Sequence, residues 1–181
     1  MLIFLSGGVR SGKSSLAEKL AAHHQSPGGR LIYIACGQHT DREMDERIEH
    51  HKQRRAESGH HWITAERPVE VASVDVKASD TILIDCVTTL LAGEYFRKDK
   101  PASGAASRII EDILMLAGRA HAVVAVSNEL SFEAPAGELT ADYTRKLGAI
   151  HQRLVQESST AILVEHGIPI IKKGGIECGG L

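Results

Sequence analysis

Gly7-Gly8-Val9-Arg10-Ser11-Gly12-Lys13-Ser14 decides how the rest of this chain is read. It follows the apolar run Leu2-Ile3-Phe4-Leu5 and opens into Ser15-Leu16-Ala17-Glu18-Lys19-Leu20. The spacing G-x-x-x-x-G-K-S therefore falls between a strand pattern and a helix pattern. Each fixed position has a mechanical reason. The glycines let backbone N–H groups turn inward around phosphate oxygens, and the following helix aims the positive end of its dipole at them. Lys13 reaches the β- and γ-phosphates of a nucleoside triphosphate, and the Ser14 hydroxyl takes a place on Mg²⁺. An ordinary glycine-rich turn is the bland alternative. This pattern seldom lodges between a strand and a helix by chance, and a bound nucleoside triphosphate is expected.

Outward from this loop, short apolar runs alternate with longer amphipathic ones. Strand patterns cover 2–6, 31–36, 81–85, 122–127 and 161–165, with a further one at 168–172. Helix patterns cover 13–25, 41–57, 86–97, 105–119 and 140–158. The strands are near-continuously apolar, as parallel strands covered on both faces are. Within the last helix Tyr143, Leu147, Ile150 and Leu154 share one face. The alternation predicts an α/β P-loop (RecA-like) NTPase fold, a mostly parallel sheet flanked by helices, with ligands at the carboxyl ends of the strands. Segments 26–30 and 98–104 read as surface loops, and there is no internal repeat. Residues 1–181 are expected to form a single P-loop nucleotide-binding and transferase domain.

Composition narrows the function classes. The 181 residues are 43% hydrophobic and 24% charged, ordinary for a globular chain with a full core. A formal charge of −2 gives no support for a nucleic-acid partner. No apolar run approaches membrane-spanning length. No basic region precedes Leu2 and the phosphate loop begins at once, so a cleaved leader is not expected. Cys36, Cys86 and Cys178 have no metal-type pair spacing and leave an odd thiol, which points to a reducing cytoplasm.

Two further features carry chemistry. Asp85 ends the run Thr81-Ile82-Leu83-Ile84, where a phosphate-loop enzyme holds its second carboxylate on the Mg²⁺ side. The competing reading is a cap for the helix that follows, with Cys86 a buried apolar filler. The segment Asp41 to Arg55 is a charged helix pattern with early acids and late bases matching the helix dipole, and Thr40 or Asp41 as its cap. Helical spacing puts Met44, Ile48 and His51 on one side and Glu43, Arg47, His50 and Arg54 on the other. His50 then projects among groups suited to a polyphosphate, while His51 packs or bonds locally. As a charge run alone, the helix reads as a solvated, ion-paired surface. A zinc site from the pairs His23-His24, His50-His51 and His60-His61 is disfavoured, because adjacent histidines on a helix point apart.

Taken together, several strings resemble one known family. They are the loop at 7–14, Tyr-Ile-Ala at 33–35 and Glu-Met-x-x-Arg-Ile-x-His-His-Lys at 43–52. To these add Trp62-x-Thr-Ala-Glu66, Asp85-Cys-Val-Thr-Thr89 and Val126-Ser-Asn-Glu129. The chain resembles the bifunctional adenosylcobinamide kinase/adenosylcobinamide-phosphate guanylyltransferase family of cobalamin synthesis, most densely over 1–90. The resemblance implies two reactions, with GTP and ATP as substrates and Mg²⁺ as cofactor. A kinase step phosphorylates the aminopropanol hydroxyl of adenosylcobinamide. A transferase step then moves GMP from GTP onto that phosphate, releasing pyrophosphate and giving adenosylcobinamide-GDP. By the same matching His50 is the nucleophile that carries GMP, with Lys13 assisting. The nucleotide positions are Gly7, Gly8, Val9, Arg10, Ser11, Gly12, Lys13, Ser14, Ala35, Cys36, Gly37, His51, Lys52, Gln53, Arg54, Glu66 and Asp85, with Ser14 and Asp85 on the metal. A homo-oligomer, a trimer, is implied as well.

A neutral imidazole, with an unperturbed pKa near ~6.5, is a competent nucleophile at cytoplasmic pH, and its attack on the α-phosphorus splits one displacement into two. The chain departs from the family pattern at Leu130-Ser131-Phe132-Glu133-Ala134-Pro135, where a glycine-containing stretch is usual. It departs again at His151-Gln152, where the family has Asn-Gln. Asn128-Glu129 reads equally as strand-end turn chemistry or as a substrate contact, and no base for the corrinoid hydroxyl is legible. The rival readings are a phosphate-loop kinase for another small metabolite and a nucleotide-binding regulatory module. Only the transferase needs a covalent histidine, and the Asn-Lys-x-Asp base reader of switch GTPases is absent.

Overall fold

All the apolar runs of the sequence become neighbours in one sheet. The computed structural model describes residues 1–37, 42–130 and 137–175, the side chains of 42–48 and 50 excepted. Its strands are β1 (Leu2–Gly7), β2 (Leu31–Ala35), β3 (Trp62–Glu66), β4 (Thr81–Asp85), β5 (Ala122–Asn128), β6 (Thr160–Glu165) and β7 (Ile168–Lys173). They lie in the order β3-β2-β4-β5-β1-β6-β7. The pairings from β3 across to β6 are parallel, and β7 returns antiparallel to β6. The helices are α1 (Lys13–His23), α2 (Arg42–Glu57), α3 (Val87–Phe96), α4 (Ala105–Arg119) and α5 (Glu138–Glu157). This is the α/β P-loop NTPase arrangement, with crossover helices between parallel strands.

Strand parity sorts the core into two faces. Leu2, Phe4, Ile32, Ile34, Ile82, Ile84, Val123 and Ala125 turn toward α3, α4 and α5. Ile3, Leu5, Leu31, Tyr33, Leu83, Val124 and Val126 turn toward α1. Because both faces are covered, the central strands read as unbroken apolar runs. In α4 Ile109, Ile113 and Leu116 are fully buried at i, i+4, i+7, each contributing about 1.5–3 kcal/mol. Leu147, Ile150 and Leu154 of α5 are buried as their spacing predicts.

One strand lies outside the sequence expectation. β3 is an edge strand with only its Trp62 and Ala65 partly buried, so it lacks the continuous apolarity that marks the others. At the amino end of the sheet, Asp80 ties three strand entries together. Its carboxylate accepts from Arg30 side-chain and backbone N–H groups and from the Lys77 N–H, and its carbonyl accepts from His121. That knot holds the amino ends in line. The carboxyl ends are where chemistry-bearing residues gather.

Candidate nucleotide site at the carboxyl edge of the sheet

Gly7 ends β1 between Asn128 of β5 and Val164 of β6. A Cβ here would strike the Val164 carbonyl oxygen and stand 2.8 Å from Ser11 Oγ, so only glycine fits. The chain then turns back on itself. Arg10 (φ 60°) and Gly12 (φ 90°) take left-handed conformations, and the Ser11 N–H donates to the Gly8 carbonyl at 3.2 Å. Gly12 is the N-cap of α1, and among the described residues no side chain bonds to it and no acid occupies the first turn. The helix therefore presents its N-terminal, positive end to the loop's interior. Lys13 is only 3% exposed, and its ammonium donates to Gly8 O at 2.9 Å across the loop. Ser14 follows, half-buried. Val9 and Arg10 are exposed at the rim, and a Cβ on Gly8 would meet no atom within 4 Å. The β6–β7 turn braces the loop from below, the Gly167 N–H donating to Ser11 O at 2.9 Å.

Register brings the second group of predicted residues into one row. Ala35 of β2 pairs with Glu66 of β3 on one side and with Asp85 of β4 on the other. At the usual strand spacing, Glu66 and Asp85 are about 10 Å apart across Ala35, with side chains on the same face. Glu66 is exposed, Cys36 is buried and Gly37 is half-buried. Burial pushes the Cys36 thiol well above its usual range, aided by Cys86 and Asp85. Asp85 is not the cap of α3. That role falls to Cys86, whose side chain and backbone share a capping box with Thr89. Asp85 instead accepts a hydrogen bond from the Tyr33 hydroxyl, O···O 3.0 Å. Burial, then the Asp85 carboxylate, raises the Tyr33 pKa far above its usual value, so the phenol stays a donor.

The third group is the basic half of α2. Arg54 grips Glu18 of α1 with two hydrogen bonds of 2.8 and 2.7 Å, and its guanidinium also donates to His51 Nδ1 at 3.1 Å. A ring nitrogen accepting from a guanidinium carries no proton, so Nε2 of His51 holds it. Arg55 is buried with its guanidinium 3.6 Å from the Tyr33 ring centroid. α2 is thus bolted to the α1 face of the sheet, next to the Tyr33–Asp85 pair. Lys52 and Gln53 are exposed, Gln53 donating to Glu57 at 2.9 Å. His50 lies in α2, but its side chain is outside the described residues, as are those of Arg47, Met44, Ile48 and Glu43. Among the described residues no three His, Cys, Asp or Glu side chains converge as metal ligands. Sequence pattern does not flag Glu18, and it gives Tyr33 only as part of the Tyr-Ile-Ala string and Arg55 only as a late base of the charged helix, with no role for either. The only local hint is a Glu inside an apolar helix stripe and a Tyr inside an aliphatic strand.

The geometry sets a glycine turn at a helix N-terminus, a carboxylate and a basic helix on the same side. Known proteins have related sequences over nearly their whole length. The family model for cobinamide kinase / cobinamide phosphate guanyltransferase matches residues 3–171. The bifunctional adenosylcobalamin biosynthesis protein CobP of Pseudomonas aeruginosa is 35% identical over 173 residues, 93% of this chain and 95% of that protein. The bifunctional adenosylcobalamin biosynthesis protein CobU of Escherichia coli is 32% identical over 185 residues, 94% of this chain and 98% of that one. Among solved structures, the flagellar accessory protein FlaH from Methanocaldococcus jannaschii superposes with a TM-score of 0.51 at 14% identity, covering 96% of this chain and 78% of its own. That last likeness concerns the fold alone.

Proposed function

The chain belongs to the cobinamide kinase / cobinamide phosphate guanyltransferase family, and on that premise we propose that it phosphorylates adenosylcobinamide and then transfers GMP from GTP to the product through a guanylylated His50. The observation that carries this reading is the meeting of three elements on one side of the sheet's carboxyl edge. They are a glycine turn feeding an α1 terminus without a side-chain cap, the Asp85 carboxylate, and the helix α2 that bears His50.

In the transferase step, the loop N–H groups and the Lys13 ammonium hold the β- and γ-phosphates and stabilise the pyrophosphate as it leaves. The His50 imidazole forms an N–P bond to the α-phosphorus, and the α–β bridging oxygen departs with the electron pair. A phosphate oxygen of adenosylcobinamide phosphate then displaces His50 from that phosphorus. The Glu18–Arg54 grip and the Arg55–Tyr33 contact hold α2 in position for both displacements.

The residues present suit Mg²⁺. The Ser14 hydroxyl and the Asp85 carboxylate are hard oxygen donors, Asp85 is oriented by Tyr33, and Mg²⁺ takes one or two protein oxygens beside phosphates and water. When bound, the ion neutralises charge on the phosphate oxygens. On the same reading one domain spanning 1–181 performs both reactions in the cytoplasm, as a homo-oligomer and specifically a trimer. Among the described residues no helix is long and apolar enough to cross a membrane.

The test uses Mg²⁺ and GTP labelled at the α-phosphate. Acid-labile, base-stable label on the protein is the phosphoramidate signature. His50→Ala should abolish it while His51→Ala retains it in part. Label persisting in the first variant would overturn the assignment.

A further inference from the structure

On the opposite face of the sheet, beneath α3 and α5, runs a row of polar groups that nucleotide binding does not use. Ser127, completely buried in β5, has its Oγ 2.7 Å from His151 Nε2 and 3.1 Å from Thr88 Oγ1. The Asn128 N–H donates to that same Thr88 oxygen at 2.9 Å. His151 stands on α5 with its ring 5.3 Å from Phe4, and its Nδ1 lies 3.9 Å from Glu129 Oε2. Glu129 is rooted in the phosphate loop, its N–H donating to Gly7 O at 2.9 Å.

The row has a direction. Burial lowers the His151 pKa, against the pull of Glu129, and so favours the neutral ring. The other tautomer would set the Nδ1 lone pair against the Glu129 carboxylate. The tautomer with the proton on Nδ1 turns that proton toward Glu129, and in it Ser127 donates to Nε2 while Thr88 donates to Ser127. The row terminates at a carboxylate whose side chain is 23% exposed. Apolar side chains would fill this space without any polar network. What the row supplies instead is an oriented, water-accessible carboxylate.

Its position matters. β5 lies between β1, which feeds the phosphate loop, and β4, which ends at Asp85. Asp85 belongs to the α1 side, where it bonds Tyr33, whereas Glu129 belongs to the α5 side with His151. In-line phosphoryl transfer needs the attacking and leaving oxygens on opposite sides of the γ-phosphorus.

We propose that Glu129 is the base for the acceptor hydroxyl in the phosphorylation half-reaction, with His151 as its positioning residue. The proposal rests on the activity proposed above. The alcohol oxygen forms a bond to the γ-phosphorus, and the bond to the β–γ bridging oxygen breaks. Its electron pair leaves with the nucleoside diphosphate. The hydroxyl proton passes to the Glu129 carboxylate and from there to water.

The test compares two half-reactions in one preparation of the full chain with Mg²⁺. Phosphorylation is measured on adenosylcobinamide with ATP or GTP, and guanylyl transfer on supplied adenosylcobinamide phosphate with GTP. E129Q is expected to lower the ratio of phosphorylation kcat to guanylyl-transfer kcat about 100-fold, the usual scale for a lost general base. E129D should recover part of it. H151Q, which keeps a partner for Ser127, should lower the same ratio about 5-fold through kcat, with the corrinoid KM little changed. An unchanged ratio in E129Q, or equal losses in both reactions, would overturn the proposal. Wild-type protein that turns over neither substrate would overturn the functional reading and this proposal with it, a failure visible in the control alone.

Discussion

At the residue scale, the phosphate loop shows how few substitutions this site tolerates and why. Gly7 is fixed by the Val164 carbonyl against it, and Gly12 by a φ of 90°. Lys13 is a different case, since its side chain is buried over the loop and, on the proposed reading, its charge is what the triphosphate meets. Lys13→Ala should reduce both phosphorylation and guanylyl transfer by about 10²–10³-fold, the cost of losing one aimed donor at a developing charge. Steady-state kinetics on both reactions check this. Normal GMP transfer in that variant would mean that GTP is held elsewhere.

At the element scale, α2 is informative because its composition misleads. A mean over its residues reads as a solvated charged helix, yet Arg55 is buried against Tyr33 and Arg54 is locked to Glu18. The Glu18 side chain is nearly buried while that of Arg54 is partly exposed, so removing the carboxylate leaves a cation only partly rescued by water. Glu18→Ala is expected to destabilise the protein by about 1–3 kcal/mol, less than a fully buried pair would cost. Urea unfolding measures that loss. The same variant should reduce covalent GMP labelling more than it reduces GTP binding to the loop, because it loosens α2 while sparing the glycines.

Across the whole molecule, the two ends of the sheet divide the labour. The carboxyl edge keeps polar groups poised for ligands, while the amino edge is held by the Asp80 knot. Burial pushes the Asp80 carboxyl up, but Arg30 and the backbone N–H groups of Lys77 and Arg30 outweigh it and hold the pKa below the ordinary value. A depressed folded-state pKa stabilises the native chain above about pH 4, and that contribution is lost as pH falls through the folded value. Wild-type stability should therefore drop on acidification below about pH 4, with Asp80→Asn less stable at pH 7 and flatter in that range. Denaturant midpoints collected from neutral pH downward give the two curves. Parallel curves would remove Asp80 from the account.

How much was legible follows from how far apart the cooperating residues lie. The phosphate loop is eight consecutive residues whose mechanics are local, so the chain announces it outright. The parallel sheet is nearly as plain, because strands buried on both faces must be apolar along their length and helices must alternate every three or four residues. β3 escapes that rule, since an edge strand keeps one side in water. Strand order, by contrast, is settled by all the segments packing at once. It is that order which sets Glu66, Ala35 and Asp85 in a row, spends Arg54 on Glu18 and joins His151 to Ser127. Periodicity and backbone preference are carried by neighbours a few residues away and survive in the sequence. Which side chain stands opposite which depends on contacts between distant segments, and only the folded chain decides it.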